Sequence, residues 1–196
     1  MPPAPDLSTV KFSEPVVLFN GQDLSGWPDG AANWTVEQGE LVGRADQLAA
    51  DGFLIGAGSY GDFVLRCSVK LVGGQGNSGI IVRCGRLPEG AVLGYELDVT
   101  AGRYGTIYEE GGTRGVLAEG WKDKGEHVAL LDGWNEVAVR AVGGKIKLML
   151  NGLTTAEYQS TAADTQPASG AIALELHRNM RMEVRFRDMR IKRLGK

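Results

Sequence analysis

The chain has 196 residues, 43 % of them hydrophobic, and a formal net charge of −3. That length and apolar content suit one domain with a real core, and the near-neutral balance excludes the basic footprint of a nucleic-acid binder. No apolar run approaches the ~20 residues of a membrane helix, so no membrane span is expected. The 29 glycines are about twice the usual ~7 % share and, without low-complexity repeats, indicate many tight turns between short strands.

The opening MPPAPDLSTV has neither the basic n-region nor the apolar h-region of a signal peptide. Residues 1–15 read as a flexible leader and 16–196 as a single domain. The location is periplasmic or extracellular if a signal segment has been removed, and cytoplasmic otherwise. Val16 to Phe19 is a first strand ending at Asn20-Gly21, and Trp34–Glu37 with Glu40–Gly43 forms a hairpin about Gln38-Gly39. Arg44 to Asp51 is the one stretch suited to a short helical turn. Asp62 to Leu71 alternates, with Phe63, Leu65, Cys67, Val69 and Leu71 on one face and Val64, Arg66, Ser68 and Lys70 on the other.

Asn77-Ser78-Gly79 reads as the turn into a strand Ile80 to Cys84, on which Arg83 shares a face with Ile81. In Gly94 to Thr100 (GYELDVT), Glu96 and Asp98 lie two residues apart and project together, while Tyr95, Leu97 and Val99 face the core. Tyr104 and Tyr108 share a parity; Glu109-Glu110 reads as a solvated loop; Trp121 sits in a loop, suited equally to capping the core or stacking on a ligand. Strands from Glu136, Lys145 and Leu153 make a meander turned at Gly143-Gly144 and Asn151-Gly152, dipeptides suited to two-residue hairpins. Ala171 to His177 and Met182 to Arg193 complete more than ten strands with no βαβ alternation, which predicts a two-sheet antiparallel sandwich. Cys67 and Cys84 lack the spacing of a structural zinc site; a disulfide and two buried thiols both remain open.

Several stretches taken together resemble one family: LFNGQDLSGW (18–27), WTVEQGEL (34–41), YGDF (60–63), GNSGIIVR (76–83), GYE (94–96), GWNE (133–136), LNG (150–152) and FRDMRI (186–191). Their order and spacing, from about residue 16 to the C-terminus, are similar to the 3-keto-disaccharide hydrolase domain family. The resemblance implies an all-β, concanavalin A-like jelly-roll sandwich, a carbohydrate ligand and a bacterial setting. Two positions depart from the family pattern: Asp98 and Glu175 stand where an amide is common. Each keeps an acceptor and removes a donor.

On residue pattern alone, Glu96 and Asp98 read most simply as a solvated sheet face; the resemblance turns that face into a groove. Glu96, Asp98, His177 and Arg83 are then the catalytic candidates, and Trp121, Tyr104, Tyr108, Glu175 and Asn77 the candidate sugar contacts. A 3-keto sugar has an acidified C2 hydrogen. Its cleavage needs a base near neutral pKa, for which Glu96, Asp98 and His177 all qualify, and a group that stabilises an enolate, either Arg83 or a divalent metal. Glu96, Asp98 and His177 are a conceivable ligand set for that metal. Glu-Leu-Asp-Val also matches the first part of the Glu-x-Asp-x-Glu strand of laminarinase-type glucanases, but Thr100, or Ala101 across a bulge, stands where the second acid is needed, so a two-carboxylate glycosidase mechanism is discounted. The alternative to an enzyme is a lectin-like module that binds glycans in the same groove without chemistry.

Overall fold

The computed structural model describes residues 14–162, 164 and 166–195; of the expected leader, residues 1–13 lie outside them. Fourteen strands follow in chain order: β1 (Val16–Val17), β2 (Trp34–Glu37), β3 (Glu40–Asp46), β4 (Gly52–Ile55), β5 (Phe63–Leu71), β6 (Asn77–Arg86), β7 (Val92–Thr100), β8 (Ile107–Glu110), β9 (Val116–Ala118), β10 (Asn135–Val142), β11 (Lys145–Leu150), β12 (Leu153–Gln159), β13 (Ala171–Leu176) and β14 (Arg181–Arg193). One sheet runs β12-β11-β10-β5-β14-β3-β2 with β1 added to β14, and the other runs β4-β13-β6-β7-β8-β9. The chain crosses repeatedly between the sheets, which is the two-sheet antiparallel sandwich that alternation and turn chemistry predict and the all-β jelly roll that the resemblance implies. Among the described residues no helix is long and apolar enough to cross a membrane.

The period-two pattern explains the core. Phe63, Leu65, Cys67, Val69 and Leu71 of β5 are buried against Ile80, Val82, Tyr95, Leu97 and Val99 of the facing sheet. Burial of this kind stabilises by ~25 cal/mol per Å2 of apolar surface. The hairpins close on the residues expected: Gln38-Gly39 and Asn151-Gly152 are both left-handed at both positions, whereas at Gly143-Gly144 only Gly143 is.

Local breaks in the alternation account for the departures from expectation. β3 continues to Asp46, so Arg44 to Asp51 holds strand and bend instead of a helical turn. Asn77-Ser78-Gly79 is already inside β6. Glu109 and Glu110 end β8 and are not a solvated loop. β6 bulges where Arg83 takes φ 53° and the register with β7 shifts between Val82 and Gly85. Beyond that point the strand's faces exchange. Cys84 consequently lies with Ile81, Val92, Ala173, Phe53 and Ile55 in a small apolar cluster separate from the main core. Cys67 and Cys84 are both free and buried, on different sheets, and burial pushes their thiols up to about 12 and about 11.

Candidate functional site

The acidic residues of GYELDVT lie on the face of the six-stranded sheet turned away from the core. On β7, Tyr95, Leu97 and Val99 belong to the core, so Glu96 and Asp98 project outward. They are not solvated: each is only 4 % exposed. The pocket that encloses them holds about 260 Å3, below the ~300–1,000 Å3 of sites for drug-sized ligands and on the scale of one small ring. Glu110 enters from the adjacent β8, Glu175 from β13 on the far side of β6, Asp51 from the segment before β4, and His177 and Asn77 also line the pocket.

Room for Glu96 comes from a missing side chain. Gly79 pairs with Asp98 across β6 and β7, and a Cβ at residue 79 would stand 2.0 Å from Glu96 Oε1. The glycine serves close approach here; its backbone needs no left-handed conformation. The Ser78 hydroxyl donates to the Glu175 carbonyl at 2.7 Å, pinning β13 beside this gap.

Carboxylates crowded out of water favour the protonated form. Burial, then the charges of Glu175 and Asp98, hold Glu96 well above the usual carboxylate range. Burial, with the charges of Glu110, Asp51 and Asp98, also raises Glu175, to about 8. Asp98 is pushed up to about 6 by burial, against the opposing pull of Arg103. The Arg103 Nη2 and Nε both donate to Asp98 Oδ2, at 2.8 and 3.2 Å, and its guanidinium lies 4.8 Å from the Tyr108 ring centre. Asp98 Oδ1 keeps no hydrogen bond among the described residues. Burial and then the Asp51 charge raise Glu110 to about 7.

The structure therefore gathers Glu96, Asp98, Tyr108, Glu175, His177 and Asn77 in one place. It does not bring Arg83, Tyr104 or Trp121 there. Through the bulge, the buried Arg83 donates to the carbonyls of Gly61, at 3.0 and 3.1 Å, and of Gly143, at 2.7 Å. It fastens one sheet to the other and is no clamp on a ligand. Tyr104 is wholly buried in the core: the left-handed Gly102 and Gly105 bend the chain on either side of it, so its parity is not continuous with that of Tyr108. Trp121 is half-buried against the core and caps it.

Asp51, Glu110, Arg103 and Arg178 also line the pocket and were not singled out by sequence. Glu110 had a signal, the parity it shares with Tyr108 across one intervening residue. Asp51 and Arg103 sit outside strands, where no period applies. The side chains whose ligand atoms converge, all within 4.8 Å of one another, are Asp51, Glu175 and His177. The set expected from sequence, Glu96 and Asp98 with His177, is thus replaced by one that shares only the histidine. A second cluster, Asp123, Glu126 and His127, lies at the surface.

Residues 14–192 match the 3-keto-alpha-glucoside-1,2-lyase-like domain. No curated protein sequence matches the chain. Among solved structures, a candidate glycosyl hydrolase from Parabacteroides distasonis superposes with a TM-score of 0.68 at 22 % identity, covering 92 % of this chain and 94 % of that one. A carbohydrate-binding module from Bacillus subtilis gives 0.63 at 19 %, covering 84 % and 93 %. The exoplasmic/lumenal domain of VIP36, solved with Ca2+ and Man3GlcNAc, gives 0.62 at 13 %, covering 94 % and 91 %. At these identities the likeness is one of fold.

Proposed function

Because the chain belongs to the 3-keto-alpha-glucoside-1,2-lyase-like domain family, a carbohydrate-active family, we propose that its acidic pocket cleaves 3-keto-glycosides by elimination across C1 and C2. The observation that carries this reading is the unequal environment of two neighbouring carboxyl groups. Asp98, drawn toward ionisation by Arg103, sits near pKa 6, while Glu96, two residues away, is held neutral by burial and by Glu175. Groups pushed apart in this way divide into base and acid.

In the proposed reaction Asp98 takes the C2 proton, and the electron pair of that C–H bond moves toward the C3 carbonyl to give an enolate. Arg103, beside the same carboxylate, supplies positive charge for the developing oxyanion. The pair then returns to form the C1–C2 double bond as the C1–O bond breaks, and the departing oxygen takes the proton of Glu96. The products are a 2-hydroxy-3-keto-glycal and the free alcohol; addition of water to the glycal completes net hydrolysis. Tyr108 offers an aromatic face for the sugar, and Asn77 a polar contact at the other end.

The test is to incubate purified protein with 3-keto-glucosides and follow alcohol release and the sugar product by chromatography, with and without chelator. The reading expects release of both products. Glycan binding by calorimetry without release under any metal condition identifies a lectin-like module instead.

A further inference from the structure

We infer that the outer face of the eight-stranded sheet carries a docking surface for an acidic polysaccharide, built on a diagonal row of four cations, Lys147, Arg140, Arg66 and Arg190. They come from the adjacent strands β11, β10, β5 and β14. Lys147 stands directly opposite Arg140, and Arg66 directly opposite Arg190. Arg140 pairs with Val64, two residues from Arg66 on β5, so Arg140 and Arg66 are diagonal neighbours. Three strand spacings of ~4.8 Å carry the row about 15 Å across the sheet. Directly opposed side chains start only ~4.5–5.5 Å apart, and like charges in that register destabilise a sheet.

The other half of the same face shows the neutralised pattern. There Glu183 stands opposite Arg44. Arg44 is bound to Glu37 and Glu183, and Arg185 to Glu40 and Glu183. Along the cation row carboxylates are scarce. Lys145 and Lys147 share the Glu157 carboxylate, at 3.0 Å each. Glu136 lies 3.7 Å from Arg66, with both side chains mostly in water, where such a pair contributes little. Arg140 and Arg190 have no ion-pair partner among the described residues. An anion from outside the chain is what relieves the repulsion built into this register.

The groove between the cations identifies the class of partner. Val64, Ala138 and Met149, each half-buried, floor a space of about 440 Å3 rimmed by Arg66, Arg140 and Lys147. An acidic polysaccharide matches both parts. The C–H faces of its rings lie on the apolar floor, and carboxylate or sulfate groups repeated along the chain meet cations repeated from strand to strand. Guanidinium forks hold such groups through two parallel hydrogen bonds. An anionic membrane fits less well, because the apolar groups are the floor of the groove and none protrudes to insert. The net charge of −3 disfavours a nucleic acid. The surface lies on the opposite side of the sandwich from the acidic pocket and does not rest on the proposed reaction.

The experiment titrates the purified protein by calorimetry with polygalacturonate and with dextran sulfate, at low and high salt, beside neutral dextran and vesicles of phosphatidylserine and phosphatidylcholine. Saturable binding to an acidic glycan is expected, weakening with salt as the exposed charges are screened; the two glycans distinguish carboxylate from sulfate. Arg140→Gln combined with Arg190→Gln should weaken it by about tenfold or more through lost charge-assisted hydrogen bonds. Arg181→Gln, at the far end of β14 and bound to Asp46, should leave it unchanged. The double variant should melt no lower than wild type, and the bound glycan should raise the melting temperature of wild type only. No binding to either acidic glycan, equal binding to neutral dextran, binding confined to the vesicles, or binding indifferent to the double variant overturns the surface. Glycan binding without turnover of 3-keto-glucosides overturns the reaction and leaves the surface standing; turnover without glycan binding does the reverse.

Discussion

Glu109 and Glu110 adjoin on β8 and face opposite sides of its sheet, and the two carboxyl groups have met burial in opposite ways. Glu109 points inward beside Tyr95, its cross-strand partner. It accepts from the backbone N–H groups of Thr113 and Arg114 at 2.9 and 2.8 Å, from the Arg114 guanidinium, and from Gln166 at 2.7 Å. Arg114 also reaches Asp164, which accepts from Tyr95 and Tyr158 at 2.8 Å each. Led by the Arg114 hydrogen bond, these contacts bring Glu109 down to about 2. Asp164 is held low as well, its hydrogen bonds outweighing its burial. Glu110, on the pocket side with Asp98, Glu96 and Glu175, has few donors and is raised. Burial alone therefore does not mark a functional carboxylate; a shortage of donors does. The inward network is a latch closing the sandwich edge, and the outward group lines the candidate site.

The comparison breaks most visibly if the pocket variants leave turnover intact. Asp98→Asn and Glu96→Gln, nearly isosteric, should each lower turnover of a 3-keto-glucoside by about 10²–10⁴-fold with melting temperature preserved or raised, because each removes a crowded charge or proton. Gly79→Ala comes next. The added Cβ must displace the Glu96 carboxyl, and a shift on the order of 1 Å costs about 100-fold in rate; circular dichroism should remain that of the wild type.

The latch predicts the reverse pattern. Arg114→Ala leaves Glu109 and Asp164 buried without their cation and should cost about 3 kcal/mol in urea unfolding, with turnover per folded molecule little changed. Loss of turnover without loss of stability would erase the distinction between the two regions.

The smallest effect is one of sign with pH. Glu109 and Asp164 have folded pKa values below their unfolded values of ~4.3 and ~3.9. Their contribution to stability is complete above about pH 5 and is lost as pH falls toward 2. Asp98 and Glu110 are raised. Their contribution is complete below about pH 4 and is lost as pH rises through about 6 and about 7. Urea midpoints across pH should fall toward acid less steeply in Arg114→Ala than in wild type, and Glu110→Gln should gain stability near pH 8. The same ionisation of Asp98 gives kcat/KM a rising limb near pH 6.

The sandwich was legible in the sequence because period-two alternation and hairpin dipeptides are local signals, and both sheets follow them. The candidate pocket was partly legible where strands stayed regular: parity put Glu96 and Asp98 on one outward face, and the resemblance marked that face as a groove and added Glu175 and His177 to it. It failed where one residue broke the count. Arg83, left-handed in a bulge, turned from a ligand clamp into a strut between sheets. Tyr104, set between two left-handed glycines, went into the core. Asp51 and Arg103 reach the pocket from bends, and only the folded chain brings them there.

The central claim is that Asp98 removes a proton from C2 of a 3-keto sugar while Glu96 protonates the departing oxygen. It is tested most directly by proton NMR of a 3-keto-glucoside incubated with the protein in D2O. The account predicts loss of the C2 proton and release of the alcohol with wild type, retention of the C2 proton with Asp98→Asn, and slowed alcohol release with Glu96→Gln while C2 exchange continues. Alcohol release with the C2 proton retained, or C2 exchange undiminished in Asp98→Asn, would contradict it.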